Sequence, residues 1–429
     1  MRQGCTFYVE ALGCRLNAAE MADLALRLIG AGCRRVDDPA QADLILLNTC
    51  AVTAQAARKS RHRLRTLHRR NPQAGIAALG CWVTESPQLA AAQPGVRWAL
   101  TNAEKPQAAR RILGVEVEEG APWSPQRTGQ TRLFLGVQEG CDSHCTYCIT
   151  RLLRGRGRSR PLPEVVALIR RAVEAGVQEV VLTGVSLGAY GHDLGMTSGL
   201  ARLVEAILRE TSLPRLRLSS VEPWDVDEAL LALWSEPRLC RQLHLPLQSG
   251  CDATLKRMGR RITTAAFARL VERARAISPE IALTTDLIAG FPGETEAEFA
   301  QTLAFVEAMG FARLHVFPYS EREGTAAARL PGALPMAVRR ERAAQLRALG
   351  ARMATAYRHR FLGRELRVLW ERRNAAGLWR GLSDNYLEIV AASEAALHNR
   401  ITTARIVADE GGVMRAIIPQ EEVKDGRSR

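Results

Sequence analysis

Three cysteines, Cys141, Cys145 and Cys148, fall inside the stretch GCDSHCTYC (140–148) at C-x3-C-x2-C spacing. Thiols gathered this closely read first as ligands for a soft metal. A closed structural zinc site takes four ligands, commonly as paired C-x2-C knuckles. His144 lies between the cysteines, but it is adjacent to Cys145 and poorly placed to complete the same tetrahedron. An iron–sulfur cubane has four irons and can be held by three thiolates, which leaves one iron open to a substrate or cofactor. Zinc stays as the alternative on spacing alone.

A second trio is dispersed. Cys14, Cys50 and Cys81 each close an apolar run: TFYVEALGC (6–14), ADLILLNTC (42–50) and AGIAALGC (74–81). If these runs are successive parallel strands, the three thiols share the carboxyl edge of one sheet, where open α/β folds collect their ligands. One such cysteine would read as a small buried hydrophobe. Three at equivalent positions read as a second ligand set. Cys5, Cys33, Cys240 and Cys251 have no such placement and are expected to be structural.

The elements that must carry these residues follow from periodicity. The N-terminal part alternates strands with helices over 17–32, from about Thr53 to Arg70 and from about Ser86, with a fourth strand at 96–102. Alternation of this kind predicts a doubly wound parallel sheet. Residues 114–130, GVEVEEGAPWSPQRTGQ, lose the pattern and read as a linker. Apolar runs then recur near 132–138, 178–183, 214–219, 241–247, 281–287 and 311–317, each followed by a helix-period segment. Six βα units suit a partial (β/α)6-type barrel, with its chemistry at the carboxyl ends of the strands. The Cys141 cluster follows the first of them. A long helix is expected over about 336–360. After Gly363, alternating segments around Gly and Asn turns predict a small antiparallel β-barrel. The expected domains are 1–122, 127–358 and 361–420.

The 429 residues carry a formal charge of +14, mostly from arginine. That balance favours a polyanionic partner, RNA or DNA ahead of membrane, against the plainer reading of a basic enzyme. No signal peptide or membrane span is expected, and ten cysteines without a secretory signal suit a reducing, cytoplasmic setting.

The C-x3-C-x2-C loop with Tyr147 before its last cysteine resembles the radical S-adenosylmethionine (SAM) superfamily. LTGVSLGAYG (182–191) resembles that family's glycine-bearing segment beside SAM. The resemblance implies SAM on the open iron, cleaved by one electron to a 5′-deoxyadenosyl radical, with Tyr147, Thr183 and Gly184 at the cofactor. ALGCRLNAAE, NTCAVT and LGCW resemble the N-terminal domain of the methylthiotransferases within it, which implies a second 4Fe–4S cluster on Cys14, Cys50 and Cys81. HLPLQSGCDATLKRMGRR (244–261), DLIAGFPGETEAEF (286–299) and HVFPYSEREGT (315–325) are similar to later barrel segments of that family, and the β tail to its OB-like TRAM domain. The resemblance thus covers essentially the whole chain.

Among the branches of the family, GCRLN and NTCAVTAQAARKSRHRLR (48–65) look most like the one that modifies N6-threonylcarbamoyladenosine in tRNA. Isopentenyladenosine in tRNA and an aspartate of a ribosomal protein are the alternative substrates. The implied partners are a tRNA anticodon stem-loop and an electron donor such as flavodoxin or ferredoxin, with the chain a monomer. Two arginine-rich tracts suit the RNA. The helix at 53–70 carries Arg58, Lys59 and Arg61, with charge spread around so much of it that no buried face is expected. RLLRGRGRSRP (151–161) puts Arg151, Arg154, Arg156 and Arg158 beside the expected active-site mouth. For the helix, a solvated surface is the plainer reading. One departure is that ITRLLRG follows Cys148 where the family style has a Pro–Tyr pair.

Overall fold

A computed structural model describes residues 4–115 and 131–419. Apart from Gly114 and Val115, the stretch read as a linker lies outside them, as do the expected boundaries at 122, 127 and 420.

Five parallel strands form the first sheet: β1 Thr6–Ala11, β2 Arg34–Arg35, β3 Leu44–Thr49, β4 Gly75–Gly80 and β5 Val96–Leu100, in the order β2-β1-β3-β4-β5. β3 and β4 are buried along their whole length, as strands covered on both faces must be. Strand alternation divides their side chains. Leu44 and Leu46 pack with Leu24 and Leu28 of α1 (Arg15–Gly30), while Ile45 and Leu47 pack with Leu64 and Leu67 of α2 (Ala54–Arg70). The sheet is therefore doubly wound, and its order reverses between β1 and β3, which opens a crevice at the strand ends.

Two expectations for this domain change. α2 does have a buried stripe, Ala57, Ser60, Leu64 and Leu67, because helical spacing needs only four small or apolar residues for a narrow face. The helix expected from Ser86 is two short ones, α3 (Cys81–Glu85) and α4 (Pro87–Ala91). Pro87 cannot continue a helix but suits the first turn of a new one.

The central domain has six parallel strands, β6 Arg132–Glu139, β8 Glu179–Gly184, β9 Arg215–Leu218, β10 Gln242–His244, β11 Ala282–Ala289 and β12 Arg313–Pro318. A two-residue strand, β7 Arg158–Ser159, adds to β6 antiparallel. Between β9 and β10 the ladder is reduced to isolated bridges, Leu216 to Leu239 and Ser220 to His244, and β6 does not pair with β12. The barrel is partial, with a seam between β6 and β12.

The C-terminal strands β13 Glu365–Arg373, β14 Trp379–Ser383, β15 Glu388–Ala391, β16 Ile401–Glu410 and β17 Val413–Ile417 close in the order β13-β14-β15-β17-β16. The pattern predicts antiparallel pairing; one pair, β15 with β17, is parallel. The chain crosses over after β15 so that β16 joins β13, and β17 then returns beside β15. This is an OB-like closure that leaves no free sheet edge. Its β14–β15 turn docks under the central barrel. Arg217 donates to the carbonyls of Ser383 at 3.1 Å and Asp384 at 2.9 Å, and Arg215 to that of Leu382 at 3.1 Å. Both arginines alternate with core residues Leu216 and Leu218, so they face the lumen, where Glu179 neutralises Arg217 at 2.8 Å.

The N-terminal domain docks through the segment that follows the cysteine loop and along β6. The helix Thr150–Arg154 directly follows Cys148, and Ile149 and Leu153 join the apolar cluster on the α2 face of the first sheet. Arg154 is buried there, donating to Glu20 Oε1 at 2.7 Å, Asn17 Oδ1 at 2.6 Å and Glu139 Oε1 at 3.3 Å. Lys105 also pairs with Glu20. Burial opposes ionisation of Glu20, yet the Lys105 and Arg154 cations outweigh it and hold the carboxyl down at about 2.

A carboxylate held below its ordinary 4.5 stabilises the fold above that pH and loses this contribution as pH falls toward 2. Glu20→Gln is therefore expected to cost about 3 kcal/mol at pH 7. In urea unfolding, the gap between variant and native chain should close as pH is lowered from 4.5 to 2.

Candidate metal centres

Cys14, Cys50 and Cys81 stand at the carboxyl ends of β1, β3 and β4, three neighbours in the sheet. Cys50 and Cys81 are buried and Cys14 is exposed at the head of α1. The glycines before Cys14 and Cys81 have left-handed backbone, with φ of +93° at Gly13 and +100° at Gly80. A Cβ on Gly13 would lie 2.8 Å from Cys50 Sγ, and one on Gly80 would lie 2.7 Å from the Thr49 carbonyl. Only glycine permits both the conformation and the approach. Asn17 Nδ2 clamps two of the loops by donating to the Leu12 carbonyl at 2.6 Å and the Thr49 carbonyl at 3.2 Å. Ser60, an otherwise odd polar residue in the buried stripe of α2, accepts from Cys50 N and donates to Cys50 O, both at 3.0 Å. Asn102 Nδ2 spans the domains, 3.6 Å from Cys81 Sγ and 2.9 Å from the Leu153 carbonyl. Burial pushes the Cys50 thiol up, and the Cys81 and Cys14 thiols add to that, as three sulfurs in one neighbourhood should.

The second set sits on the loop after β6. Gly140 again has positive φ, +71°, and a Cβ there would collide with the Arg156 carbonyl. Thr146 pins the middle of the loop. Its N–H donates to the Met258 carbonyl and its hydroxyl to the Arg257 carbonyl, both at 2.9 Å, and its carbonyl accepts from Ala327 N–H at 2.8 Å. Burial raises the Cys145 and Cys148 thiols, and at Cys145 the cation of Arg260 opposes the rise. Arg260 is buried, with Nη1 3.7 Å from Cys145 Sγ, Nη2 2.7 Å from Glu222, and Cζ 4.4 Å from the Trp224 ring centroid. Tyr147 is half-buried and meets Phe291 edge-on at 6.4 Å. Thr183 is buried at the end of β8, and a Cβ on Gly184 would lie 2.9 Å from Gln138 Oε1. Gln138 ties that strand end to the cysteine loop. It accepts from Ser186 N–H at 2.8 Å and donates to the Gly140 carbonyl at 2.9 Å.

The donor sets fit iron–sulfur clusters. All ten cysteines are free thiols. Among the described residues, no three His, Cys, Asp or Glu side chains gather tightly enough for a single ion. Around the thiols lie buried oxygens without protein partners, Asn48 Oδ1, Asn102 Oδ1 and, beyond the second set, Asp225 Oδ2. Cys5, Cys33, Cys240 and Cys251 are buried elsewhere.

The basic tracts separate. Arg58, Lys59, Arg156 and Arg158 are exposed. Arg61 is half-buried, its Cζ 5.9 Å from the Trp82 ring centroid, and Arg151 leans on His144. Arg154 is not an RNA-facing residue. Its side chain is 2% exposed, because the carboxylate of Glu20, contributed by the other domain, draws it into the interface. Asn102, Gln138 and Arg260 escaped the sequence reading, since single polar residues carry no spacing signal. RMGRR held Arg260 in view without a role.

Residues 135–306 match the Radical SAM superfamily, and residues 6–100 match an uncharacterized protein family, UPF0004. A threonylcarbamoyladenosine tRNA methylthiotransferase (MtaB) of Thermotoga maritima is 38% identical over 396 residues, covering 89% of this chain and 90% of its own. The chain belongs to the radical SAM methylthiotransferases. Bacillus subtilis MtaB is 33% identical, covering 96% of this methylthiotransferase and 97% of itself. A tRNA-2-methylthio-N(6)-dimethylallyladenosine synthase of Novosphingobium aromaticivorans is 34% identical, covering 95% and 96%. Among solved structures, the radical SAM methyltransferase TsrM of Kitasatospora setae shares the fold, with TM-score 0.54 at 14% identity over 76% of this chain and 77% of its own.

Gly80→Ala forces a Cβ into the Cys81 loop of the methylthiotransferase at φ +100°. Iron and sulfide per chain, assayed after anaerobic purification, are expected to fall to about half.

Proposed function

We propose that this methylthiotransferase acts on tRNA, replacing the C2 hydrogen of N6-threonylcarbamoyladenosine at position 37, beside the anticodon, with a methylthio group. One observation carries the reading: two three-thiol sets flank the helix Thr150–Arg154 in a chain that matches MtaB proteins over almost their whole length.

Cys14, Cys50 and Cys81 would hold one 4Fe–4S cluster and Cys141, Cys145 and Cys148 the other. When bound, the clusters and SAM supply the one-electron chemistry that an aromatic C–H, resistant to acid–base catalysis, demands. The chain's own residues position and insulate. Arg260 sets a buried positive charge beside the second thiol set, and Arg154 is in electrostatic reach of Cys14 and Cys81. Tyr147, Thr183 and Gly184 border the space for SAM. Arg58 and Lys59 on α2, with Arg156 and Arg158 near the loop mouth, offer phosphate contacts, and Arg61 and Arg151 lie beside them. Reading one base of an anticodon loop follows the usual RNA strategy of capturing a splayed nucleotide. The reading includes a monomeric cytoplasmic enzyme reduced by flavodoxin or ferredoxin. Among the described residues no helix is long and apolar enough to cross a membrane.

Mass spectrometry of tRNA nucleosides from a deletion strain tests the substrate. Loss of the 2-methylthio group from threonylcarbamoyladenosine, restored by this gene, is expected. Loss from dimethylallyladenosine instead, or intact tRNA with an altered ribosomal protein, would reassign the enzyme.

Arg58→Gln combined with Lys59→Gln is expected to weaken tRNA binding. It should also flatten the slope of log affinity against log salt by about 1.4 to 1.8, two phosphate contacts' worth. An unchanged slope assigns that face of α2 to solvent.

A further inference from the structure

Arg15 follows Cys14 and opens α1. α1 lies along β6, where Leu16 Cδ1 stands 3.0 Å from the position a Cβ on Gly136 would take. The Arg15 guanidinium is in electrostatic reach of both Arg132 on β6 and His315 on β12, the strands that border the seam. Its Nη2 donates to the Tyr386 hydroxyl at 2.5 Å, and Arg217 lies against the same ring, with Cζ 4.9 Å from its centroid. Tyr386 belongs to the docked turn of the C-terminal barrel and floors the lumen.

The wall beside Arg15 is polar. His244 Nδ1 meets Thr284 Oγ1 at 2.8 Å, and its Nε2 is 3.3 Å from Asp286. His315 is 3.9 Å from Asp286, with its ring 5.5 Å from that of His244. Other basic groups here have carboxylates: Glu179 for Arg217 at 2.8 Å, Glu371 for Arg132 at 2.8 Å and Asp286 for His244. Arg15 has the Tyr386 hydroxyl. No carboxylate forms an ion pair with it among the described residues; the carboxylate in electrostatic reach, Glu179, is already taken by Arg217 at 2.8 Å. A guanidinium held in such surroundings is stabilised by an anion that arrives with a ligand.

We propose that Arg15 binds the free carboxylate of the amino-acid substituent on the target adenosine, with the His244, Asp286 and His315 wall receiving its hydroxyl and carbamoyl groups. The proposal rests on the substrate reading above. A threonylcarbamoyl group carries one carboxylate; a dimethylallyl group carries neither charge nor hydrogen-bonding atoms and would leave this lumen unsatisfied.

The test compares kcat/KM on three anticodon stem-loop RNAs, which carry threonylcarbamoyladenosine, its primary amide, or dimethylallyladenosine. The native enzyme is expected to prefer the acid over the amide by roughly 100-fold. Arg15→Gln should bring that ratio near one, through a far larger loss on the acid than on the amide. Arg15→Lys, which keeps the charge without the fork, should be intermediate. Each ratio is internal to one preparation, so cluster loading cancels. A native ratio near one would mean that the anion is a backbone phosphate, and an Arg15→Gln ratio equal to the native one would mean that another group reads the carboxylate; either overturns the proposal. Native turnover of the dimethylallyl RNA and of neither threonylcarbamoyl RNA overturns the substrate reading itself, a pattern distinct from both.

Discussion

One buried guanidinium fixes the relation between the two thiol sets. Arg154 ends the short helix that directly follows Cys148, and it is committed to Glu20 and Asn17 of the other domain as well as to Glu139 at the end of β6. Asn17 in turn clamps the Cys14 and Cys50 loops, and Asn102 reaches from Cys81 to the carbonyl of Leu153, the residue beside Arg154. A buried charge cannot be left without its partners. Displacing either domain would strip Arg154 and Glu20 of each other, so the two sets of sulfurs are held as one unit.

The same logic shapes the central barrel. A closed parallel barrel fills its interior with branched apolar side chains. Here the strands alternate leucines toward the helices with arginine, glutamate, histidine and aspartate toward the lumen. Such an interior holds together only if each charge is met. Glu179 and the carbonyls of the β14–β15 turn meet Arg215 and Arg217, which gives the C-terminal barrel a structural reason to dock under the central one. α1 meets the open seam from the side. All three domains therefore meet where Arg15 and Arg217 contact Tyr386.

Much of this was legible in the sequence. The six strands of the central barrel lie close to the apolar runs, because leucine, valine and isoleucine recur on the face that packs against the helices. The cysteines declared themselves by type and by position after such runs. The glycines of GC pairs 13–14, 80–81 and 140–141 were visible as letters, but their reason, a positive φ against a neighbouring sulfur or carbonyl, came only from the close approach of chain segments. The narrow buried face of α2 was hidden by the arginines around it.

The sequence by itself determined the fold class and the grouping of six thiols into two sets, since hydrophobic periodicity and cysteine spacing are local properties of the chain. Tertiary structure decided what the arginines do. Arg58 and Arg154 are equivalent in composition, yet one meets water and the other meets Glu20, 134 residues away in the chain. Arg15, Arg217 and Arg260 likewise take their roles from partners that no spacing rule connects to them. A guanidinium's energy depends on the charges and the solvent around it, and those are set only when distant segments pack together.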